Sequence, residues 1–263
     1  MAQPNIIEHI KKQNDAGRLA LAIYLVHGYP TVETSEEAFK VLGKYDPIFE
    51  CSLPESVFHI WCSSPKVKEV QQVVAQNNLS DKDALAFYTD HRPNMLIYTE
   101  GTSQQETQKL LTRLEGSIDS VITTNPKLAS VLKESLEPSQ DEATRPLNVQ
   151  HVSALSETLE RDLTVYEGDM LIYLSLSEVM GGDLLPLEQL QAAVDKIAQT
   201  APHAKILVGF GIRSAEDVAY VRSLKGIHCV TIGTAAITHL DEGMSSFEGW
   251  LSKIDQELVY TPA

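Results

Sequence analysis

The chain has 263 residues, of which 43% are hydrophobic, a composition typical of a globular protein with a sizeable core. Its formal net charge at pH 7 is −15, because 36 acidic side chains outnumber 21 basic ones. Nucleic acids and anionic membranes attract proteins through basic surfaces, so this charge argues against both as partners. It leaves open a small anionic ligand, which backbone N–H groups at a helix N-terminus can bind whatever the overall charge.

Cysteine usage and the lack of a targeting pattern predict a cytoplasmic protein. The three cysteines, Cys51, Cys62 and Cys229, form no Cys-x-x-Cys pair and lie in or near apolar runs. Reduced thiols are therefore expected, and no disulfide framework is implied. The first residues contain no basic region followed by an apolar stretch, and no apolar run approaches the length of a membrane span.

Apolar runs and amphipathic segments alternate along the chain, and each predicts a strand or a helix. The first half predicts helix 5–16, strand 19–26, helix 34–44, strand 47–54, helices 67–78 and 80–88, strand 94–99, helix 102–114 and strand 117–124. The second half predicts helix 128–136, strand 147–152, helix 156–163, strand 170–175, helix 187–200, strand 206–208, a helix after Ser214, strand 229–232, a helix from Ala235 and a last helix at 247–258.

This alternation of eight strands with helices predicts the architecture. Parallel strands joined by helices form either a closed (β/α)8 barrel or an open, doubly wound sheet. A doubly wound dinucleotide-binding fold would carry a glycine-rich fingerprint after its first strand, and none follows residues 19–26. A length of 263 residues also suits one barrel. We therefore predict a single (β/α)8 TIM barrel domain over residues 1–263, with the polar stretch 137–144 as an exposed loop.

Two glycine-bearing turns near the end of the chain predict a phosphate site. The seventh strand ends in Gly-Phe-Gly at 209–211, and Ser214 then stands at a helix N-cap position. The eighth strand ends in Gly233-Thr234 and leads into another short helix. In a barrel the loops after strands 7 and 8 hold phosphate with backbone N–H groups. The predicted barrel is therefore of the phosphate-binding type.

A single carboxylate stands inside the second predicted strand. Glu50 is flanked by Ile48, Phe49 and Leu53, and an ionised carboxylate is costly to bury among apolar side chains. If Glu50 faces the barrel mouth, its pKa should be raised, which suits a general acid or base. The alternatives are that it pairs with a neighbouring cation or that the strand end is exposed.

Other polar side chains carry weaker signals. Tyr98, Glu100 and Asn125 stand at predicted strand ends, where a barrel binds its ligand. The histidines show no metal-ligand spacing such as His-x-x-x-His, so no metal site is predicted, and they are expected at the surface or at helix ends. The seven histidines beyond the first predicted helix are His27, His59, His91, His151, His203, His228 and His239. A glycine pair within 178–183 predicts a mobile loop after the sixth strand.

Several segments together resemble the tryptophan synthase α subunit family, in the family's order and at about its spacing. The most specific are Ile48-Phe-Glu-Cys-Ser-Leu-Pro54, Met170-Leu-Ile-Tyr-Leu174, Gly209-Phe-Gly-Ile212 and Gly233-Thr234. Gly28-Tyr-Pro30 is similar to the Gly-Asp-Pro after the family's first strand, and Ile118-Asp-Ser-Val121 resembles its fourth strand. The resemblance covers most of the chain and is weak over residues 55–92.

The resemblance implies a (β/α)8 barrel that cleaves indole-3-glycerol phosphate to indole and glyceraldehyde 3-phosphate by a retro-aldol reaction, with no metal or organic cofactor. By motif, Glu50 matches the family's catalytic glutamate, and Tyr173 matches a tyrosine that lines its pocket. The positions that match its phosphate site and the glycine ending its sixth loop are Gly182, Gly211, Ile212, Gly233 and Thr234, with threonine where the family has serine. A β-subunit-like partner is also implied, because the family's α subunits pair with a β subunit.

Two segments depart from the family's pattern. After its glutamate segment the family has Pro-Phe-Ser-Asp-Pro-x-x-Asp-Gly, whose later Asp holds the indole N–H, and ungapped alignment puts Trp61 at that Asp. Glu55 or His59 could substitute, but neither is at the right spacing. The family's Arg-Ala-Gly-Val-Thr-Gly in the sixth loop becomes Ser-Glu-Val-Met-Gly-Gly at 177–182.

Three functions are compatible with this pattern. The first is a lyase or isomerase of a small phosphorylated substrate whose head group differs from indole, because the phosphate turns and Glu50 are retained. The second is an indole-3-glycerol phosphate lyase with a rearranged second acid. The third is a catalytically silent barrel that binds a phosphorylated ligand or a protein partner, for which the apolar stretch 57–61 would be a contact surface.

Overall fold

The computed structural model describes residues 6–54, 65–97, 104–123, 146–159, 163, 170–177 and 182–260. In these ranges eight strands form a closed barrel whose strand order follows the chain. Every neighbouring pair is parallel, including the pair that joins the last strand to the first. The predicted (β/α)8 TIM barrel is therefore confirmed.

Each strand lies at a segment that its apolar run predicts. The strands are β1 (Ala20–Tyr24), β2 (Ile48–Cys51), β3 (Asn94–Ile97), β4 (Ser120–Ile122), β5 (Leu147–Ser153), β6 (Leu171–Ser175), β7 (Lys205–Gly209) and β8 (Cys229–Ile232). Most are shorter than predicted, because an apolar run continues into the buried loop residues that follow the hydrogen-bonded ladder. Leu25 and Val26, for example, are buried just beyond the end of β1.

The helices also follow the predicted pattern. They are α1 (Ile6–Asp15), α2 (Val32–Leu42), α3 (Pro65–Gln76), α4 (Asp81–Thr89), α5 (Gln104–Leu114), α6 (Leu187–Thr200), α7 (Ala215–Arg222), α8 (Thr234–Asp241) and α9 (Met244–Leu258). The helix predicted at 128–136, the loop at 137–144 and residues 160–162 of the helix predicted at 156–163 lie outside the described residues. Over the described ranges, none of the helices combines the length and the apolar character that crossing a membrane requires.

The barrel interior is filled by side chains. Successive residues of a strand point to opposite faces, so alternate residues enter the barrel. These interior residues pack in one cluster: Ala20, Ala22, Ile48, Met95, Ile122, Val149, Leu171, Tyr173, Leu207 and Cys229. Helix α1 adds Ile6, Ile7 and Ile10 to the same cluster and so closes one end of the barrel. Each of these isoleucines stabilises the fold by about 1.5–3 kcal/mol through burial.

The outward-facing strand residues pack against the helices. Val208 of β7 and Val230 of β8 belong to the outer apolar cluster, together with Val218 of α7 and Phe247 of α9. Parallel strands covered on both faces need apolar residues at nearly every position, which explains why the runs in the sequence are continuous. The strands therefore lie between the interior apolar cluster and the outer apolar cluster, and packing on both faces holds the strand ends that carry the candidate site.

A polar network ties together the chain segments that lead into β3 and β4. The buried Asn94 side chain donates to the carbonyl oxygens of Tyr88 at 2.8 Å and Ser117 at 2.9 Å, and accepts from the backbone N–H of Asp119 at 2.9 Å. The Asp119 carboxylate in turn accepts from the Asn94 backbone N–H at 2.8 Å and pairs with Arg92. The network lies at the N-terminal ends of these strands. In such barrels that end serves stability, whereas the opposite end carries the chemistry.

Candidate functional site

Glu50 points into the barrel from β2. It lies two residues after Ile48, which belongs to the interior cluster, and its Cα is paired with those of Tyr24 and Met95 on the neighbouring strands. Its side chain is 4% exposed. Burial alone raises the pKa of the Glu50 carboxyl to about 8, with no contribution from a cation to lower it. Of the alternatives open at the sequence level, the structure supports a buried carboxyl with a raised pKa.

Tyr173 enters the same interior from β6. Burial first, and then the charge of Glu50, raise the pKa of the Tyr173 phenol well above its usual value. This effect of Glu50 on Tyr173 means that the carboxyl and the phenol share one low-dielectric interior. Gly209, at the end of β7, leaves room for the phenol, since a Cβ there would lie 2.5 Å from Tyr173 Cζ.

The turn after β7 has an unusual backbone conformation. Phe210 and Gly211 have φ values of 64° and 88°, in the left-handed region that is rare for a bulky residue such as phenylalanine. A Cβ at Gly211 would lie 3.0 Å from the carbonyl oxygen of Gly182, so this turn packs closely on the end of the loop after β6. Ile212 continues the turn and is buried. The fold therefore brings together Gly182, Gly211 and Ile212, three of the residues that the sequence predicts to bind phosphate.

The turn after β8 leads directly into a helix with no side-chain cap. Gly233 is the N-cap residue of α8 and, as a glycine, has no side chain that could cap the helix; Thr234 is the first helical residue. The first backbone N–H groups of a helix lack partners within the helix, so those of α8 can donate to an anion. Strands β7 and β8 are neighbours, and their two turns lie at the same end of the barrel.

The N-terminus of α7, by contrast, is already occupied by its own carboxylate. Asp217 accepts from the backbone N–H groups of Arg213 at 2.8 Å and Ser214 at 3.0 Å, and the Ser214 hydroxyl accepts from Asp217 N–H. This is a capping box, as the spacing of these residues predicts. A negative charge here does not favour a second anion. Backbone donors for an anion at this end of the barrel would therefore have to come from the β7 turn and α8.

Two histidines contradict the expectation that they lie at the surface or at helix ends. His27 is 4% exposed and its ring stacks on Phe87 at a centroid distance of 3.9 Å. His151 lies on β5, where its Cα is paired with that of Tyr173. Its position two residues after Val149 is a period-two signal that places it on the interior face, and that signal is present in the sequence. The ring of Phe210 lies beside the rings of His151 and Tyr173, and the sequence alone did not mark Phe210 as a site residue.

Several candidates lie outside the described residues: Glu55, His59, Trp61, Tyr98, Glu100, Asn125 and the loop residues 178–181. Cys51 and Cys229 are buried free thiols, as their apolar surroundings predict, and Cys62 lies outside the described residues. Among the residues that the structure describes, no group of three or more potential metal-ligating side chains is found.

Known proteins similar to this chain share both its length and its architecture. The tryptophan synthase alpha chain of Caldicellulosiruptor bescii is 23% identical over 257 residues, which cover 95% of this chain and 96% of that protein. No protein-family model matches the chain.

Solved structures show the same fold. The tryptophan synthase alpha subunit of Legionella pneumophila superposes with a TM-score of 0.73 at 17% identity, covering 98% of this chain and 99% of that one. A chain of tryptophan synthase from Mycobacterium tuberculosis in its aminoacrylate-bound form gives a TM-score of 0.70 at 17% identity, covering 97% of this chain and 99% of that one. Along nearly its whole length and in its closed eight-stranded barrel, this chain is therefore similar to tryptophan synthase α chains.

Proposed function

We propose that this protein is a carbon–carbon lyase or an isomerase that acts on a small phosphorylated substrate other than, or related to, indole-3-glycerol phosphate. The observation that carries the proposal is Glu50, a buried carboxyl with a pKa of about 8 that points into the barrel from β2. A group with its pKa near the working pH can both release and accept a proton, which is the property a general acid and base needs.

The proposed role of Glu50 in a retro-aldol cleavage is to move one proton. Its ionised form takes the proton from the hydroxyl next to the bond that breaks, and the oxygen becomes a carbonyl as the carbon–carbon bond opens. The electron pair passes to the leaving carbon, and the protonated carboxyl returns the proton to that carbon. Atoms and charge balance without an added cofactor. An isomerase would use the same carboxyl to move a proton between neighbouring carbons.

The proposed phosphate site uses backbone N–H groups and no basic side chain. Gly211 and Ile212 at the β7 turn, Gly182 beside them, and Gly233 and Thr234 at the start of α8 line this end of the barrel. A helix N-terminus carries a partial positive charge, which offsets the unfavourable effect of a net charge of −15 on anion binding. Fixing the phosphate would hold the reacting carbons at a constant distance from Glu50.

The experiment that tests this function compares the wild type with Glu50→Gln, a neutral variant of the same size. Release of indole and of aldehyde is measured with indole-3-glycerol phosphate, and proton exchange is followed by NMR with glyceraldehyde 3-phosphate and glycerol 3-phosphate. Loss of a general acid and base should lower turnover at least about a hundredfold. Glu115→Gln changes an exposed glutamate at the end of α5 and serves as the control.

The outcomes separate the possible functions. Indole release that depends on Glu50 would identify an indole-3-glycerol phosphate lyase, whereas turnover of another phosphorylated compound alone would point to a different head group. Turnover that survives Glu50→Gln would contradict the role proposed for this residue. Phosphate binding without any turnover would favour a catalytically silent barrel. Co-purification of a β-subunit-like protein would then identify the protein partner of that barrel.

A further inference from the structure

His151 occupies an inward-facing position near the mouth of the barrel. It follows Val149 by two residues on β5, and its Cα is paired with that of Tyr173, just as Val149 is paired with Leu171. Paired residues on neighbouring parallel strands point to the same side, so His151 enters the interior beside Tyr173. The pair lies nearer the C-terminal ends of the strands than Val149 and Leu171 do, and that is the end where barrels bind ligands.

Three rings meet at this position. The His151 ring lies 5.9 Å from the Tyr173 ring and 5.9 Å from the Phe210 ring, measured between centroids. The Tyr173 and Phe210 rings are 5.7 Å apart and meet edge to face. Phe210 reaches this place from a left-handed backbone conformation, which is unfavourable in a residue other than glycine. The three rings form a wall of flat, mostly apolar surface between β5 and β7.

The imidazole is the polar element of that wall. Its Nε2 is buried and has no hydrogen-bond partner within the described part of the chain, while the side chain as a whole is partly exposed. Burial lowers the pKa of His151 to about 4, so at neutral pH the ring is uncharged and offers one donor and one acceptor. A buried polar atom without a partner destabilises the folded state, and an apolar residue of similar size would avoid that cost.

Glu50 and His151 are linked through Tyr173. The Tyr173 ring contacts His151, and the charge of Glu50 raises the pKa of the same phenol. The two polar groups therefore face one interior from different strands, Glu50 from β2 and His151 from β5. Phe210 belongs to the β7 turn, so a ligand held at that turn would lie beside the wall formed by Phe210, Tyr173 and His151.

We infer that the imidazole of His151 forms a hydrogen bond with the head group of the bound substrate and so selects head groups with a polar atom on the edge that faces β5. The chemistry that fits is a planar, uncharged ring with a nitrogen or oxygen at its edge, because a flat ring matches the aromatic wall and an uncharged one avoids the cost of burying a charge. The inference rests on the proposed function, since it assumes a ligand that enters the barrel mouth.

Direct binding of two small probes tests this inference without turnover. Benzimidazole carries both a donor and an acceptor, whereas indene has nearly the same shape and no polar atom. Their dissociation constants are measured by NMR titration at pH 8 with the full-length wild type, His151→Leu, His151→Gln and, as a control, His203→Leu at an exposed histidine. The measured quantity is the ratio of the two constants in each protein.

A hydrogen bond to His151 should favour benzimidazole over indene by about tenfold in the wild type relative to His151→Leu. His151→Gln, which keeps a donor and an acceptor, should retain part of this preference, and His203→Leu should retain all of it. His151→Leu should not lower the thermal midpoint of the free protein, because it removes an unpartnered polar group. A purely structural histidine would give the opposite pattern, with lost stability and an unchanged ratio.

The inference is overturned if the ratio is the same in the wild type and His151→Leu, or if neither probe binds the wild type at millimolar concentration. These outcomes differ from a failure of the proposed function. If the binding ratio depends on His151 but turnover survives Glu50→Gln, the inference holds and the proposed function of Glu50 is wrong. If turnover requires Glu50 but the binding ratio is the same in the wild type and His151→Leu, the proposed function holds and the inference about His151 is wrong.

Discussion

The phenol of Tyr173 occupies the space that a side chain at Gly209 would need. A Cβ at Gly209 would lie 2.5 Å from Tyr173 Cζ and 3.2 Å from its Cε1, closer than non-bonded carbon atoms approach. The absence of a side chain at the end of β7 therefore sets where the Tyr173 ring lies, beside the candidate phosphate turn.

Gly209→Ala should destabilise the protein by about 1–3 kcal/mol, because the added methyl group must displace the Tyr173 ring within a packed interior. Urea unfolding measures the change. Gly43→Ala is the matched control, since a Cβ at Gly43 would meet nothing within 4 Å and its φ of −57° suits alanine. If the tyrosine is the cause, Tyr173→Leu should make Gly209→Ala less costly, and additive effects in this double-mutant cycle would contradict the explanation.

Gly233→Asp should weaken the binding of inorganic phosphate and of glycerol 3-phosphate at least about tenfold, whereas Gly233→Asn should change it much less. Both side chains fit, because a Cβ at Gly233 would have its nearest neighbour at 3.5 Å and the φ of −113° is open to any residue. The two side chains have nearly the same size and differ in charge, so the aspartate places a negative charge where the α8 N-terminus would hold the phosphate. Calorimetric titration measures the affinities, and equal weakening by both variants would count against a phosphate at this helix.

The stability of the wild type should depend on pH through Glu50. The folded carboxyl has a pKa of about 8 against an ordinary value of 4.5, so between these limits the folded state holds a proton that the unfolded state has lost. The free energy of unfolding should therefore fall as the pH rises through this window, by up to about 1.4 kcal/mol per pH unit.

Glu50→Gln removes this titration, so its free energy of unfolding should depend less on pH. The stability of the variant relative to the wild type should grow from pH 5 to pH 8 and stay constant above that. Urea unfolding of both proteins at a series of pH values measures the difference, in which the other titrating groups cancel. Parallel profiles would mean that the carboxyl of Glu50 is not held in its neutral form by burial.

Asn94→Ala should cost about 2–4 kcal/mol of stability and leave ligand binding unchanged. The substitution removes the bonds to the carbonyl oxygens of Tyr88 and Ser117 and leaves these buried groups without partners. Because the network lies at the end of β3 away from the candidate site, phosphate affinity measured on the folded variant should match that of the wild type. A large loss of affinity with little loss of stability would contradict this division of roles.

The sequence by itself determined the architecture. Parallel strands covered on both faces require unbroken apolar runs, and the amphipathic segments between them can only be surface helices, so eight strands and their order could be predicted. The conformations of the turns are also determined by residues close together in the sequence. Ser214 with Asp217, and the glycines after β7 and β8, act through backbone groups a few residues away, and the capping box and the turns are found where they were expected.

Only the tertiary structure decided the state of the polar groups. Whether Glu50 is paired, exposed or buried depends on side chains from distant strands, and its raised pKa comes from burial that no neighbouring residue in the sequence reveals. The contact between Tyr173 and Gly209 joins β6 to β7 through space, and His151 becomes part of the interior only because β5 packs beside β6 with a definite register. Local interactions specify strands and turns, whereas desolvation and ring contacts depend on closing the barrel, which brings residues far apart in the chain together.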